Sequence, residues 1–414
     1  MKGKFITLLV MIVAGVGMVV CAGCRKLADL KGTAPAELQQ VRRVISLAGQ
    51  WFFKLDPNNV GEEKKWYTAK LTDYIKLPGS TTENGYGNDI SVDTKWTGSI
   101  VDRSWFTDAK YEKYRQGPRK AATQPGSVKI PFWLTPVKHY VGPAWYQKQV
   151  HIPESWRGKR IVLFLERCHW ETKVWIDGIA VGSQDSLCTP HLYDVSNVMT
   201  AGKHLLTIRV DNSIKYNVGV NAHSVSDHTQ TNWNGIIGRI ELQATDRVWV
   251  GDVQVYPDIE NKRAKLRITI GNATSQAAVG MLTISAESYN TPQRHRAEPE
   301  TVGFNASKPQ STVELDYMMG EDVLLWDEFC PTMYKLTVLL KGATKDKTFH
   351  DRHTITFGMR RFSTTGTQFT INDRLTFLRG TLECCIFPLT GYPDMTVEGW
   401  LRIFRIAKAH GLNH

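Results

Sequence analysis

Apolar runs rich in β-branched and aromatic residues recur between residues 144 and 242, separated by turn residues. Their partial alternation of apolar and polar positions is typical of strands that bury one face. The pair Asp177-Gly178 lies between two such runs and predicts a tight hairpin, because a type I′ turn requires positive φ at both positions. Short antiparallel strands at this spacing predict a jelly roll or sandwich. The predicted strands are Tyr146–Ile152, Arg160–Glu166, Thr172–Ile176, His204–Val210 and Arg239–Leu242.

Two β-prone stretches come earlier in the chain: Val44–Leu55 and a strand that closes at Leu77-Pro78-Gly79-Ser80. The region that follows, from Thr81 to Gly142, shows no regular alternation of apolar and polar residues. The length of that region favours a functional insertion over an idle connector. A tryptophan in such a loop either stacks on a sugar ring or holds the loop together as part of a small core. The aromatic candidates are Trp96, Trp105, Phe132 and Trp133.

A second β series from about Val248 to Gly358 fits an immunoglobulin-like sandwich of roughly 100 residues. No charged cluster or aromatic shelf stands out in it, so we interpret it as a spacer that orients its neighbours. The predicted strands are Val253–Tyr256, Leu266–Ile270, Met281–Ala286, Thr312–Tyr317, Tyr334–Leu340 and Thr354–Phe357.

The hydrophobic period changes in the last part of the chain. Leu375–Leu378 predicts a buried strand, closed by Arg379-Gly380. A helix follows, because apolar residues recur at three- and four-residue steps, with Asp394 or Thr396 as its cap and Gly411 as its stop. Leu412–His414 would open a second strand, which makes this the start of a βα unit. The apolar helix positions are Val397, Trp400, Leu401, Phe404 and Ala407.

The N-terminus predicts export. Lys2 and Lys4 precede an uncharged apolar run, and Cys21-Ala22-Gly23-Cys24 follows it, which is the layout of a secretory signal. Ala22-Gly23-Cys24 is similar to a bacterial lipobox, and the similarity implies that Cys24 is lipidated and anchors the protein in the bacterial cell envelope, in the periplasm or at the outer-membrane surface. An ordinary cleaved signal or an uncleaved anchor is the alternative.

Charge and cysteine content narrow the possibilities. Lys and Arg outnumber Asp and Glu by 51 to 40, but the cations are scattered and no nucleic-acid motif accompanies them, so we expect no nucleic-acid partner. An acidic polysaccharide fits the charge equally well. Seven cysteines do not make a disulfide framework in 414 residues. Cys168 and Cys188 could pair, although buried free thiols are the favoured interpretation. Cys384-Cys385 lacks a metal-site partner, so no zinc and no cofactor are expected.

Asp211–Gly238 is a long polar loop ahead of the strand at Arg239. Its Asp, His, Gln, Asn and Trp side chains supply the hydrogen-bonding groups and the stacking plane that sugars require. Composition alone leaves two possibilities open, a binding loop and a loop that only caps a sandwich.

The order of these segments resembles glycoside hydrolase family 2, which includes β-galactosidases, β-glucuronidases and β-mannosidases. The resemblance covers nearly the whole mature chain and implies a mainly β protein: a jelly-roll sugar-binding domain, an immunoglobulin-like β-sandwich and the first βα unit of a truncated (β/α)8 TIM barrel. The matching pieces are Leu47-x-Gly49-x-Trp51-x-Phe53, Leu77-Pro78-Gly79, Ala144-Trp145-Tyr146, Val174–Gly178, Val210-Asp211-Asn212, Asn234-Gly235-Ile236-x-Gly238, Leu325-Trp326 with Pro331 and Tyr334, Phe357–Arg360, Phe369–Asn372, Leu378-Arg379-Gly380 and Gly411-Leu412-Asn413.

The resemblance implies domain boundaries and a sugar site. In the family, the segment ahead of the Asn-Gly-Ile match contributes to the sugar site, and the end of the first barrel strand faces the active site. Many members carry Asn and His after Leu-Arg-Gly, where this chain has Thr381–Cys384, so a glycan other than a simple β-galactoside is expected. The implied substrate-binding residues are Asp227, His228, Gln230, Asn232, Trp233, Arg379 and Glu383. The implied domains are 1–24 signal, 25–43 tether, 44–246 jelly roll with insertion 81–142, 247–358 immunoglobulin-like sandwich and 359–414 truncated barrel.

The expected chemistry is a retaining double displacement by two carboxylates about 5 to 5.5 Å apart. The family places both glutamates on later barrel strands, and a full barrel takes about 250 residues, so we assign no catalytic residue within the 414 and expect this chain to be inactive. Glu166 and Glu241 lie in β domains, where surface or ion-paired roles are favoured. The function expected is therefore a retaining exo-β-glycosidase, β-galactosidase-like, present as an N-terminal part. The alternative is a non-catalytic, surface-anchored carbohydrate-binding lipoprotein, and the oligomeric state stays open.

Overall fold

The computed structural model describes residues 42–90, 94–95, 108–112, 136–219, 225, 232–383 and 387–414. The described residues form two compact units. Residues 43–245 and 362–414 make the first, here called the jelly-roll unit, and residues 246–361 with Arg42 make the second, here called the immunoglobulin-like unit.

Two antiparallel sheets form the body of the jelly-roll unit. One sheet has the strand order β10-β9-β12-β7-β2-β3, and the other has the order β1-β13-β8-β11, with β4 also paired to β13. The two short strands β5 and β6 pair with each other. The strands are β1 (Arg43–Ser46), β2 (Gly49–Leu55), β3 (Asp73–Leu77), β4 (Gly79–Ser80), β5 (Asn88–Asp89), β6 (Lys138–His139), β7 (Pro143–Ile152), β8 (Arg160–His169), β9 (Glu171–Ile176), β10 (Ile179–Gln184), β11 (His191–Asp194), β12 (Gly202–Asp211) and β13 (Gly235–Thr245).

The inward side chains of both sheets form one apolar core. Trp51, Tyr146 and Ile208 from the larger sheet and Leu163 and Leu242 from the smaller one are essentially inaccessible to solvent. The predicted strands of this region are confirmed, although most extend beyond the predicted ends. The predicted hairpin is confirmed as well, since Asp177 and Gly178 have φ values of 50° and 81° between β9 and β10.

The outer face of the larger sheet carries a second, smaller aromatic cluster. Trp145 and Trp175 alternate with core residues along β7 and β9, so they point away from the main core and stack on each other at 5.2 Å between ring centroids. Residues 56–71 cover them with Trp66, Tyr67 and Leu71. The described connector after β2 is therefore a packed element.

The immunoglobulin-like unit is a sandwich of a three-stranded sheet, β14-β15-β18, and a four-stranded sheet, β17-β16-β19-β20. Its predicted strands are confirmed, and one strand, β17, was missed. The core contains apolar residues of both sheets, such as Leu266, Ile268, Leu336 and Val338. The strands are β14 (Val248–Asp258), β15 (Arg263–Asn272), β16 (Ala278–Tyr289), β17 (Arg296–Ala306), β18 (Gln310–Met318), β19 (Met333–Ala343) and β20 (Thr348–Phe357).

The C-terminal segment differs from the prediction at its strand. Three short strands, β21 (Phe362–Thr365), β22 (Gln368–Ile371) and β23 (Arg374–Thr376), form an antiparallel meander, and Leu375 in β23 is 58% exposed. The prediction of a buried strand at Leu375–Leu378 is therefore wrong in extent and burial. Asn372 and Asp373 both have positive φ and turn the chain back onto β22, which fixes the antiparallel pairing.

The predicted helix is confirmed as α1 (Val397–Ala409), with Thr396 as its N-cap: the Thr396 hydroxyl accepts a hydrogen bond from the Gly399 amide. None of its residues is buried. Leu412–His414 form no strand, although the Asn413 amide donates to the Arg379 carbonyl at 2.9 Å. The assignment of this segment to a barrel stays a prediction.

Among the described residues, no helix is long and apolar enough to cross a membrane. The signal, the lipidation site Cys24 and residues 25–41 of the predicted tether lie outside the described residues, whereas Arg43, its last residue, begins β1.

Candidate functional site

Three buried asparagines join the two ends of the predicted binding loop. Asn212, at the end of β12, donates to the side-chain oxygen of Asn232 at 2.9 Å, and Asn232 donates back to the Asn212 carbonyl at 3.1 Å. Asn234 donates to the carbonyls of Gly142 and Val210 at 2.8 and 3.1 Å and accepts from the Tyr146 hydroxyl at 2.8 Å. Because all three amides are almost fully buried, these bonds fix the base of the loop.

An ion network holds the first turn of the same loop. Arg209, which is 4% exposed, contacts Glu171 at 2.9 Å and Asp211 at 3.2 Å, and Lys215 contacts Asp211 at 2.7 Å. Burial raises the pKa of Asp211, but hydrogen bonds from Lys215 and Ser213 outweigh burial and hold it below its usual value. The aspartate therefore stays ionised and keeps the loop tied to β12.

Trp233 lies in an aromatic row. Its ring is 5.1 Å from the His169 ring and 5.6 Å from the Tyr392 ring, measured between centroids, and its side chain is 4% exposed. The His169 imidazole Nδ1 lies 2.6 Å from the Trp233 carbonyl, and the peptide bond between His169 and Trp170 is cis. Asn232 and Trp233, both predicted to bind substrate, are thus brought together but are packed against protein groups.

The C-terminal segment packs on the jelly roll beside this row. The Ser80 hydroxyl donates to the Thr390 carbonyl at 2.7 Å, and the Tyr392 hydroxyl donates to Glu83 at 2.7 Å. Burial, together with the Glu83 carboxylate, raises the pKa of Tyr392. Tyr392 therefore remains a neutral hydrogen-bond donor.

A pocket of about 650 Å³ opens between this segment and the bulge in β13. Its floor holds Glu166 and Arg239, and its walls are largely apolar. Gly238 is required here, because its φ is +72° and a Cβ atom would lie 2.6 Å from a Glu166 carboxylate oxygen. The lining residues from the C-terminal segment are Phe387, Pro388, Leu389, Thr390, Tyr392, Asp394, Met395 and Thr396.

Glu166 is held by Arg239. The backbone amide and the side chain of Arg239 both donate to its carboxylate, at 2.7 and 3.2 Å. Burial raises the pKa of Glu166, but these hydrogen bonds outweigh burial and lower it overall. The ion-paired role expected for Glu166 is confirmed. Glu241, the other carboxylate considered, accepts a hydrogen bond from Gln243 at 3.0 Å.

The Glu166–Arg239 pair has a testable pH dependence. Glu166→Gln is expected to lower the free energy of unfolding by about 0.5 kcal/mol near pH 7, a small effect because the side chains are 29% and 58% exposed. Since the folded pKa is depressed, the contribution is present above the unfolded pKa, about 4.3, and is lost as pH falls through the folded pKa. Urea unfolding at several pH values measures it, with the exposed Glu63→Gln as control. A deficit that stays constant down to acid pH would refute the assignment.

Of the other predicted substrate-binding residues, the structure describes Arg379 and Glu383. Arg379 is exposed, and its guanidinium donates to the Gly411 carbonyl at 2.7 Å. Glu383 is exposed at the edge of the described segment. Asp227, His228 and Gln230, the four aromatic candidates of the insertion and Cys384-Cys385 lie outside the described residues. The substrate-binding assignments therefore stay predictions.

The described cysteines correct one expectation. Cys168, Cys188 and Cys330 are free thiols, and only Cys168 is buried. The expectation of a buried thiol is confirmed for Cys168 and wrong for Cys188, which lies in a surface loop between strands. In the described ranges, no three His, Cys, Asp or Glu side chains converge as a metal site requires.

Sequence reasoning missed Glu83, Tyr392 and the Gly238 bulge as parts of one site. A glycine at a fixed distance after Asn234 was visible as a motif, but its packing partners lie in a distant segment. Only the structure brings these groups together.

A jelly roll followed by an immunoglobulin-like sandwich defines the class as a modular β protein. Two family descriptions match in the same order: "Glycosyl hydrolases family 2, sugar binding domain" over residues 93–245 and "Glycosyl hydrolases family 2" over residues 248–360. The chain belongs to glycosyl hydrolases family 2, as its sequence resemblance predicted.

Similar proteins agree with this assignment. The β-glucuronidase of Paenibacillus borealis is 21% identical over 356 residues, which are 82% of this chain and 49% of that protein. The β-galactosidase of Priestia megaterium is 21% identical over 380 residues, 89% of this chain and 33% of that protein. The chain thus spans about half the length, or less, of these curated relatives.

Solved structures show the same fold. β-Glucuronidase 2 of Bacteroides uniformis superimposes with a TM-score of 0.65 at 18% identity, covering 90% of this chain and 39% of that one. The β-glucuronidase of Ruminococcus gnavus gives a TM-score of 0.62 at 16% identity, covering 91% of this chain and 55% of that one. The shared fold extends over nearly all of this chain.

Proposed function

We propose that the protein is a retaining exo-β-glycosidase whose jelly-roll unit contributes to sugar binding, while both catalytic carboxylates lie on later barrel strands, outside residues 1–414. The observation that carries the proposal is the consecutive match of two family 2 models along residues 93–360. The names of the relatives support a β-galactoside or a β-glucuronide as the substrate.

The local geometry supports a binding role for the loop that follows β12. The two hydrogen bonds between Asn212 and Asn232 hold the two ends of this segment together. Asp227, His228 and Gln230 are our candidates for contacts with sugar hydroxyls. Anchoring of the protein in the bacterial envelope through Cys24 is part of the same proposal and rests on the sequence.

The proposal predicts that the 414-residue chain releases no nitrophenol from aryl β-D-galactosides or β-D-glucuronides, because it lacks the paired carboxylates. The product isolated from the native source is expected to be longer by intact mass, and to hydrolyse one of these substrates with retention at the anomeric carbon. Hydrolysis by the purified 414-residue chain would refute the placement of the carboxylates, provided that its activity co-purifies with the chain through successive purification steps. A native product that is 414 residues long and binds glycan would instead establish a non-catalytic carbohydrate-binding protein.

A further inference from the structure

The outward face of the four-stranded sheet in the immunoglobulin-like unit gathers cations that are scattered in the sequence. The register of β19 and β20 puts Lys335, Lys341 and Arg352 on the same side of the sheet, because each lies in an outward row. Arg296 on β17 stands opposite Glu287 and pairs with it at 3.1 Å. Four cationic side chains and one carboxylate therefore share this face.

The central cations of this face are available. Lys335 and Arg352 are both exposed, and within residues 246–361, which are all described, neither forms an ion pair. The only carboxylate in the outward rows of β16, β19 and β20, that of Glu287, is already engaged by Arg296. Glu287 is also the cross-strand neighbour of Lys335, but four cations against one carboxylate leave this face with a net positive charge.

The same face has a groove whose lining side chains can complement the groups of a sugar. The groove has a volume of about 370 Å³, opens beside the bulge between β16 and β17, and is lined by Lys335, Arg352 and Thr337. Hydroxyl groups pair across its strands, as between Thr337 and Thr354 at 3.1 Å. Tyr289, which is 40% exposed, lies at its end with its ring 6.0 Å from the Lys335 ammonium.

We propose that this face binds a polysaccharide chain that carries uronate carboxylates. The lysine and arginine groups complement carboxylates, and the planar guanidinium of Arg352 can bind one with two parallel hydrogen bonds. The threonine hydroxyls both donate and accept, which suits sugar hydroxyls. Nucleic acid fits less well, because single strands require several aromatic platforms for successive bases and Tyr289 stands alone.

The proposed surface lies wholly within residues 246–361 and does not depend on the proposed hydrolase function. The polymer would contact outward strand positions, so neutralising them leaves the sandwich core intact. This separation makes the test specific: a change in binding caused by Lys335 or Arg352 reports on this face and leaves the jelly-roll unit unaltered.

The test uses the complete 414-residue chain and immobilised polygalacturonate as the probe. The double variant K335Q/R352Q is expected to weaken binding at least about fivefold, and wild-type binding should weaken with added salt. The control is K265Q/R267Q on the outward face of the other sheet of the same unit, which removes the same two charge types and should change binding less than twofold. Lys265 and Arg267 lie 3.6 and 3.7 Å from Glu314, so this control differs from the test pair in being ion-paired.

Equal weakening by both double variants would overturn the proposal, because net charge alone would then account for binding. So would tighter binding to single-stranded DNA, to dextran sulfate, which has no uronate, or to anionic vesicles than to polygalacturonate, as would equal binding to neutral dextran. Circular dichroism of both variants confirms that each is folded.

Discussion

Asp56→Ala is expected to lower the free energy of unfolding of the jelly-roll unit by about 3 kcal/mol, since it leaves several buried donors unsatisfied. The Asp56 side chain is 1% exposed and accepts from the amides of Val60 and Gly61, each at 2.8 Å, and from the Trp145 indole at 3.0 Å. Gly61 allows this approach, because a Cβ atom there would lie 2.5 Å from the Trp145 indole nitrogen.

The loss of the Asp56 hydrogen bonds should also loosen the segment that covers the outer aromatic cluster. Without Asp56, residues 56–71 lose the anchor that holds Trp66 and Tyr67 over Trp145 and Trp175. Urea unfolding followed by tryptophan fluorescence measures the stability, and acrylamide quenching measures exposure of the cluster. Asp73→Ala is the control, because Asp73 is exposed at the start of β3 and should change stability by less than about 0.5 kcal/mol. An Asp56 variant as stable as this control would contradict the anchoring role.

The sequence predicted the elements whose signals are local. The strands of both sandwiches alternate at a two-residue period, and Asp177-Gly178 specifies its own turn, so these features were found without knowledge of any partner. The helix α1 was found for the same reason, since its period and its Thr396 cap lie within one short segment. Strand β17 was missed, because Pro299 and polar residues at its exposed edge interrupt the alternation.

The sequence did not predict features that depend on distant partners. Asn232 was predicted to bind sugar on the strength of the family resemblance, and its hydrogen bond with Asn212, 20 positions away, was not foreseen. A surface or ion-paired role was expected for Glu166, but the pocket beside it was not predicted, because residues 387–396 line that pocket from a distant part of the sequence. Charges on the immunoglobulin-like unit looked scattered, since only strand register puts Lys335 and Arg352 on one face. Contacts between residues that are far apart in the sequence produce no periodic pattern of apolar and polar positions, so the sequence alone does not reveal them.

Asn234→Asp is expected to cost about 3 to 5 kcal/mol of stability near neutral pH, because it places a charge in a fully buried site among carbonyl oxygens. The substitution changes almost no volume. It replaces the amide nitrogen that donates to the carbonyls of Gly142 and Val210 with an oxygen that repels both. The Tyr146 hydroxyl would still donate to the other oxygen.

The deficit of this variant should depend on pH in a direction that identifies its cause. Burial among carbonyls raises the pKa of the new carboxyl above its unfolded value of about 3.9, so the deficit grows as pH rises through that value and shrinks in acid, where the protonated group donates one hydrogen bond. Unfolding curves between pH 4 and 8 measure this, with Asn217→Asp as control, since Asn217 is exposed and its acceptor oxygen is kept. A deficit that is the same at both ends of the range would contradict the charge-burial explanation and would leave the loss of the amide donor to the Gly142 and Val210 carbonyls as the cause.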